Sequence, residues 1–371
     1  GSGVGKSFVV AGLLRVLKER GFRAAPFKAQ NMSNNSFVAR EGGEIARAQA
    51  MQAECAGLEP SVHMNPILLK PHRDDGSQVI VQGKSVGHMT VRQYKQFGIK
   101  AMARVRDSYK KLAAAHDVIV IEGAGSPAEV NLRRFDFVNM RTARLARAPV
   151  LLVGDIDRGG VFAWLYGTYR LLAPGDRKRI KGFIINKFRG DASLLRPGLD
   201  FLERATGVPV LGVIPYLEGL SLDEEDSQGL KREARNGGSL DIAVLAFPRI
   251  SNFTDFTPLA HEPDIRVRYV SAPDEWGSPH LVVLPGTKST AADLAWLRNR
   301  GFEAPLKHHA ARGGFILGIC GGFQMLGKGI RDPKRVEGKE KRVEGLGLLP
   351  VETVFGGEKV TKRVRGRVKI R

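Results

Sequence analysis

The chain opens on Gly1-Ser2-Gly3-Val4-Gly5-Lys6-Ser7, which runs straight into the apolar helical pattern Phe8, Val9, Ala11, Leu13, Leu14, Leu17. This is the chemistry of a phosphate-binding loop. Its glycines let backbone N–H groups curl around phosphate oxygens, the Lys reaches the outer phosphates, the Ser hydroxyl ligates Mg2+, and the helix N-terminus adds its positive dipole end. Gly3, Gly5, Lys6 and Ser7 are therefore candidate ATP ligands, and Ser7 a candidate Mg2+ ligand. The first Gly of the full pattern would stand one position before Gly1, and a strand should feed the loop. The natural start is thus expected upstream.

A second set of residues belongs to the same kind of site. A short strand over 23–28 ends in Lys28 and opens into the polar stretch Ala29-Gln30-Asn31-Met32-Ser33-Asn34-Asn35-Ser36. In a parallel sheet the C-terminal strand ends carry the site. Lys28, Gln30, Asn31 and Ser33 are therefore candidates for an anionic acceptor, offering a cation and neutral hydrogen-bonding groups. The run Asp117-Val118-Ile119-Val120-Ile121-Glu122 reads as a central strand buried on both faces, and Glu122 at its end stands where a nucleotide enzyme places a Mg2+ partner. Asp157 and Arg158, after the strand 149–155, should border the same crevice. Asn186, near the end of the strand 180–188, is a further nucleotide candidate.

The other chemical motif lies near the opposite end, in Gly318-Ile319-Cys320-Gly321-Gly322-Phe323-Gln324. A Cys at a sharp strand-to-helix turn flanked by glycines is a nucleophile elbow: the turn exposes sulfur, and the next backbone N–H can hold an oxyanion. Gly286, in the Gly-rich turn Leu284-Pro285-Gly286-Thr287-Lys288, supplies a second N–H, so Gly286 and Gly321 are the candidate oxyanion hole. A base is not in view. His261, His280, His308 and His309 all precede the elbow, and no His follows Cys320 as far as Arg371.

These residues need rigid elements to hold them. Further buried strands are expected at 208–216, 240–247, 265–270, 280–285 and 315–319, with helices over 44–56 and 91–115. Strands alternating with helices give a doubly wound parallel α/β fold. The expected division is a synthetase unit at 1–225, a linker at 226–239 where periodicity is lost, and a second α/β unit at 240–371. A chain of 371 residues is long enough for both.

Composition narrows the class. Apolar residues at 43% and charged residues at 26% are ordinary for a globular protein, and no apolar run reaches membrane-spanning length. Two cysteines make no disulfide framework and no zinc spacing, so the cytoplasm is the expected compartment. The net charge of +20 raises the question of nucleic acid. The basic residues are dispersed, and where densest, in the last forty residues, they lack the aromatic interleaving that stacks bases. Neither nucleic acid nor a membrane is expected as a partner; the charge suits polyanionic small molecules.

Taken jointly, the loop at 1–7, Pro26-Phe27-Lys28-Ala29-Gln30-Asn31-Met32-Ser33, Glu122 through Leu132, Gly154 through Gly160, Pro248 through Phe256 and the Cys320 elbow resemble the cobyric acid synthases, over essentially the whole chain. The first unit is similar to dethiobiotin synthetase. The resemblance implies a P-loop synthetase domain followed by a class I glutamine amidotransferase domain. In the latter a Cys–His–Glu triad hydrolyses glutamine, with Gln324 as the glutamine-binding residue. It implies ATP, Mg2+ and glutamine as cofactor and co-substrates, and a corrinoid acceptor, adenosylcobyrinic acid a,c-diamide. Its b, d, e and g carboxylates would be amidated through acyl phosphates by channelled ammonia. Homo-oligomerisation is left open. Family members carry the triad His beyond the point matching Arg371, so truncation at both ends is expected, with weak glutaminase activity in residues 1–371 alone. Related amidotransferases on other acids, such as cobyrinic acid a,c-diamide synthase or the enzyme acting on peptidoglycan precursors, stay open, as does a P-loop partitioning ATPase. The Ala-Gln-Asn-Met-Ser stretch and Cys320 discriminate against them.

Overall fold

The computed structural model describes residues 3–73, 76–131, 133, 136–217, 238–337, 340–356, 364 and 366–367. Helix α1 (Lys6–Glu19) buries Val9, Val10, Ala11 and Leu14 on one face, as its apolar spacing requires, and leads into β1 (Ala24–Phe27). Next come β2 (Gln30–Met32), β3 (Ser36–Val38), β4 (Glu44–Ala46) and α2 (Arg47–Cys55). The stretch 29–36 is expected as a loop and 44–56 as one helix. Instead β2 runs parallel to β5 (Ile67–Arg73), and β3 and β4 close an antiparallel hairpin. Burial of Asn31, Ala39, Ile45 and Ala46 explains the difference, because backbone groups taken out of water need ladder partners. Strands β5, β6 (Gly76–Val81) and β7 (Lys84–Thr90) form an antiparallel meander. Thr90 and Gln93 then cap the start of α3 (Val91–Ala115) reciprocally.

The parallel strands place the first site. Strand β8 (Val118–Ile121) pairs with β1 in a register that sets Ile121 against Phe27, so Lys28 and Glu122 must emerge side by side about 5 Å apart. Beyond α4 (Met140–Leu145), the chain alternates through β9 (Val150–Asp155), α5 (Val161–Leu171), α6 (Pro174–Arg177), β10 (Ile180–Phe188), α7 (Arg196–Thr206) and β11 (Val210–Pro215). These strands form a sheet of order β11-β10-β9, in which Asn186 lies opposite Asp155. Residues 118–121 are only half-buried, although their Val/Ile run predicts burial on both faces. Among the described residues β8 is hydrogen-bonded to β1 alone, so one flank has no neighbouring strand to wall it in.

The expected linker at 226–239 lies, up to residue 237, outside the described residues. The second unit runs through β12 (Leu240–Leu245), α8 (Thr257–His261), β13 (Ile265–Val270), β14 (Leu281–Leu284), α9 (Thr290–Asn299), α10 (Glu303–Ala311), β15 (Phe315–Gly318) and α11 (Gly321–Leu326). Its sheet is parallel throughout, in the order β13-β12-β14-β15. Pairing of Leu284 with Gly318 sets Gly286 opposite Cys320 two residues further on. Strand β16 (Gly329–Arg331) joins β17 (Arg342–Glu344) and β18 (Glu352–Val354) in a small mixed sheet. Among the described residues, the core of this unit, including Val244, Val283, Leu294 and Phe302, is built from Ile242 onward. No described helix is long and apolar enough to cross a membrane.

Candidate active sites

The phosphate loop is held from behind by the end of β10. Asn186 Nδ2 donates to the Val4 carbonyl at 2.9 Å, and Lys187 Nζ donates to the Gly3 carbonyl at 2.9 Å. Only glycine fits at position 5, where φ is +86° and an added Cβ would sit 2.2 Å from Asn186 Nδ2. The carbonyls of Gly3 and Val4 are thus occupied, and the N-terminus of α1 turns the positive end of its dipole toward the loop, where an anion is favoured. Lys187 also reaches the buried Asp155 at 2.8 Å, and Arg158 packs its guanidinium over Gly3. Asp157 accepts from Arg189 at 3.3 Å, and that guanidinium lies over the Tyr216 ring.

Glu122 is the hub of the site. Its Oε1 accepts from Ser7 Oγ at 2.9 Å and from Lys28 Nζ at 2.8 Å, and its Oε2 accepts from Gln52 Nε2 at 2.6 Å. Lys28 and Glu122 are each 2% exposed, so their charges are sustained by each other and by the amides around them. Gln49 reaches Oε2 at 3.5 Å and accepts from Asn31 Nδ2 at 2.9 Å.

The sequence groups Lys28, Gln30, Asn31 and Ser33 as one acceptor-facing row, and the structure separates them. Lys28 and Asn31 face inward to the Glu122 network. Gln30 accepts from Tyr94, whose phenol is pushed up by burial, and Ser33 Oγ accepts from the Asn35 amide. Gln49 and Gln52 were not singled out from the sequence. The available signal was a pair of amides one helical turn apart in an alanine-rich segment whose buried face should be apolar.

At the second site Cys320 occupies φ +50°, ψ −110°, directly before α11, and is exposed. A residue other than Gly in such a conformation stores strain of about 1–3 kcal/mol. Close packing demands the flanking glycines: a Cβ on Gly322 would meet the Leu284 carbonyl oxygen at 1.9 Å. Gly321, as the first residue of α11, has no helical acceptor for its N–H. Facing it, the Gly286 carbonyl accepts from Ser251 N at 2.8 Å, and the point where a Gly286 Cβ would stand is 3.2 Å from Ser251 Oγ and 3.9 Å from Cys320 Cβ. Gly286, Ser251 and Cys320 thus converge.

A buried acid, Asp293, and a half-buried one, Glu337, hold the surroundings in place. Asp293 accepts from Arg249 N at 3.2 Å and from Thr287 Oγ1, tying the 248–256 segment to the Gly286 turn. Glu337 accepts from Thr290 N at 3.1 Å, and Thr290 Oγ1 lies 3.1 Å from Gln324 Oε1. Burial pushes the carboxyls of Asp293 and Glu337 above the ordinary range. Neither acid was named from sequence, because each acts on an element distant in the chain.

The histidines do not approach the thiol from α10 or from the start of β14. His309 Nε2 lies 3.2 Å from the Phe315 carbonyl at the start of β15, and Cys320 follows the other end of that strand, about 13–16 Å away. His280 accepts from Asp241 N at the same remote end of the sheet, and His261 turns onto Thr257 of its own helix.

Known proteins share both halves of this arrangement. Residues 1–230 match the CobQ/CobB/MinD/ParA nucleotide binding domain, and residues 241–371 match the CobB/CobQ-like glutamine amidotransferase domain. A cobyric acid synthase from Sorangium cellulosum is 56% identical over 371 residues, covering 99% of this chain and 71% of the relative's length. The chain belongs to the cobyric acid synthase family. Cobyric acid synthases from Pelotomaculum thermopropionicum and Vibrio parahaemolyticus are 53% and 51% identical, covering 99% and 96% of this chain and 70% and 74% of their own lengths. The fold is accordingly a P-loop nucleotide-binding domain followed by a glutamine amidotransferase domain, and the chain is a glutamine-dependent amidoligase.

Proposed function

We propose that this chain uses ATP to activate the b, d, e and g side-chain carboxylates of adenosylcobyrinic acid a,c-diamide and amidates them with ammonia released from glutamine, giving adenosylcobyric acid. A carboxylate is a poor electrophile. Transfer of the γ-phosphoryl group to it gives an acyl phosphate, which ammonia displaces with loss of phosphate. Lys6 and the loop amides of Gly3 and Gly5 would hold the phosphates, with Asn186 and Lys187 keeping the loop in shape.

Mg2+ fits the residues present. Ser7 and Glu122 offer hard oxygen donors 2.9 Å apart, and the described residues contain no cluster of three or more His, Cys, Asp or Glu that could cage a cation. Mg2+ characteristically takes a few protein oxygens and completes its shell with phosphate and water. When bound there it would neutralise phosphate charge.

In the second domain the Cys320 thiolate would attack the glutamine carboxamide, with the N–H groups of Gly286 and Gly321 at the oxyanion position and Gln324 beside the substrate. The reading includes Asp157 and Arg158 at the rim of the acceptor crevice, transfer of ammonia between the sites, a cytoplasmic location, and no nucleic-acid or membrane partner.

The observation that carries this reading is the presence in one chain of a Ser7–Glu122–Lys28 cluster at a phosphate loop and a strained, exposed Cys320 opposite Gly286. Lys6→Ala in the complete protein should abolish ATP-dependent amidation while unstimulated glutamine hydrolysis persists. Normal ATP turnover by that variant would remove Lys6 from the site.

A further inference from the structure

Where the units meet, contacts involve the two segments that carry their chemistry. The Ser36 amide of β3 donates to Asn252 Oδ1 at 3.0 Å, Arg47 approaches Asp255 at 3.5 Å, and Lys288 Nζ donates to Gln78. Asn252 is the residue after Ser251, whose own amide is fixed on the Gly286 carbonyl and whose hydroxyl lies near Gly286, the residue facing Cys320. One peptide unit therefore separates a contact with the first domain from a contact with the Gly286 turn.

Both ends of this link are built in. On the first-domain side, Ser36 Oγ accepts from Lys70 Nζ at 2.7 Å, and the buried Lys70 is paired with Glu44 at 2.6 Å. Ser36 also lies a few residues beyond Asn31, which reaches the Glu122 network through Gln49. On the second-domain side, Asn252 holds φ 52°, ψ 37°, a left-handed conformation that Asn tolerates better than most residues. The next residues, Phe253, Thr254 and Phe256, are buried, and Tyr269 donates to the Phe253 carbonyl at 3.0 Å. A shift of the 30–38 segment cannot dissipate in loose chain before it reaches Ser251.

We propose that Asn252 is a positioning residue that makes glutamine hydrolysis at Cys320 conditional on occupancy of the first domain. Resting on the amidoligase reading above, the proposal assigns its regulation to the Ser36–Asn252 bond. Acceptor and ATP reorder the segment between Lys28 and Val38, Ser36 moves with it, and Asn252 carries the movement through Ser251 to the Gly286 turn facing Cys320.

The experiment compares Asn252→Gly and Asn252→Asp with the parent in the complete protein. Gly keeps the left-handed backbone at no steric cost and removes the acceptor; Asp keeps both. Glutamine hydrolysis is measured with and without ATP and the corrinoid acceptor, alongside amide formation driven by ammonium chloride. Stimulation of hydrolysis by ATP and acceptor should fall about fivefold or more in Asn252→Gly, and glutamine consumed per amide should rise. Asn252→Asp should restore both. Ammonium-driven amidation should match the parent in each. Unchanged stimulation in Asn252→Gly would overturn the proposal, as would a parallel loss of ammonium-driven amidation, which would make Asn252 a folding residue. Absence of ammonium-driven amidation in the parent would instead overturn the amidoligase reading, and the coupling with it.

Discussion

The two candidate sites achieve reactivity by opposite means. At the phosphate loop the side chains are buried or half-buried and mutually engaged: Glu122 takes up Ser7, Lys28 and Gln52, and the loop carbonyls are held by Asn186 and Lys187. At the elbow the reactive side chain is exposed, and order resides in the backbone, through the positive φ of Cys320 and the close approach of Gly322 to Leu284. Phosphoryl transfer chiefly needs charges fixed in advance, whereas a nucleophile needs access and a defined line of attack. A substitution at the first site should therefore damage folding and chemistry together, and one at the second should separate them.

The largest expected effect comes from breaking the buried cluster. Glu122→Ala leaves the Lys28 ammonium buried without its carboxylate, and a loss of about 3–5 kcal/mol is expected. Urea titration of the complete protein would measure it, and a loss below about 1 kcal/mol would show that Lys28 finds water or another partner. Cys320→Gly should act in the other direction. Relief of the positive φ should stabilise the protein by about 1 kcal/mol despite the added chain entropy, while glutamine hydrolysis disappears. A destabilised Cys320→Gly protein would mean that the side chain is held by packing and not against strain.

The smallest effect is a pH slope in the second domain. Burial raises the carboxyls of Glu337 and Asp293, against the hydrogen bonds from Thr290 and from Thr287 and Arg249. An acid with a raised folded pKa binds its proton more tightly when folded. Its contribution is fully present below the ordinary carboxylate range and is lost as pH rises through the raised value. Glu337→Gln should flatten that decline above the ordinary carboxylate range, read as the difference in urea midpoint between variant and parent across that pH interval. Parallel curves would place Glu337 in contact with water.

Much of this was legible in sequence because it lies in contiguous motifs. Lys28 and Glu122 each directly follow an apolar strand, and parallel pairing in register brings them together without further information. Cys320 and Gly286 became neighbours by the same logic. The mixed β2–β7 region was largely hidden, because short polar strands have little hydrophobic alternation and their pairing depends on partners tens of residues away. Gln49 and Gln52 were missed because a buried amide declares itself only when its acceptor, here Glu122, is known to be opposite. Asp293 and Glu337 share that difficulty, since each satisfies backbone or side-chain donors from a different element. Asn252 stood inside a quoted motif, but its partner Ser36 lies in the other domain.

The division of labour between the two sites can be tested most directly with Cys320→Ala in the complete protein, supplied with ATP and the corrinoid acceptor and given either glutamine or ammonium chloride. Amide formation from glutamine should vanish while formation from ammonium continues at the parent rate. Retained glutamine-driven amidation, or loss of both, would contradict the assignment of Cys320 to ammonia release and of the phosphate loop to carboxylate activation.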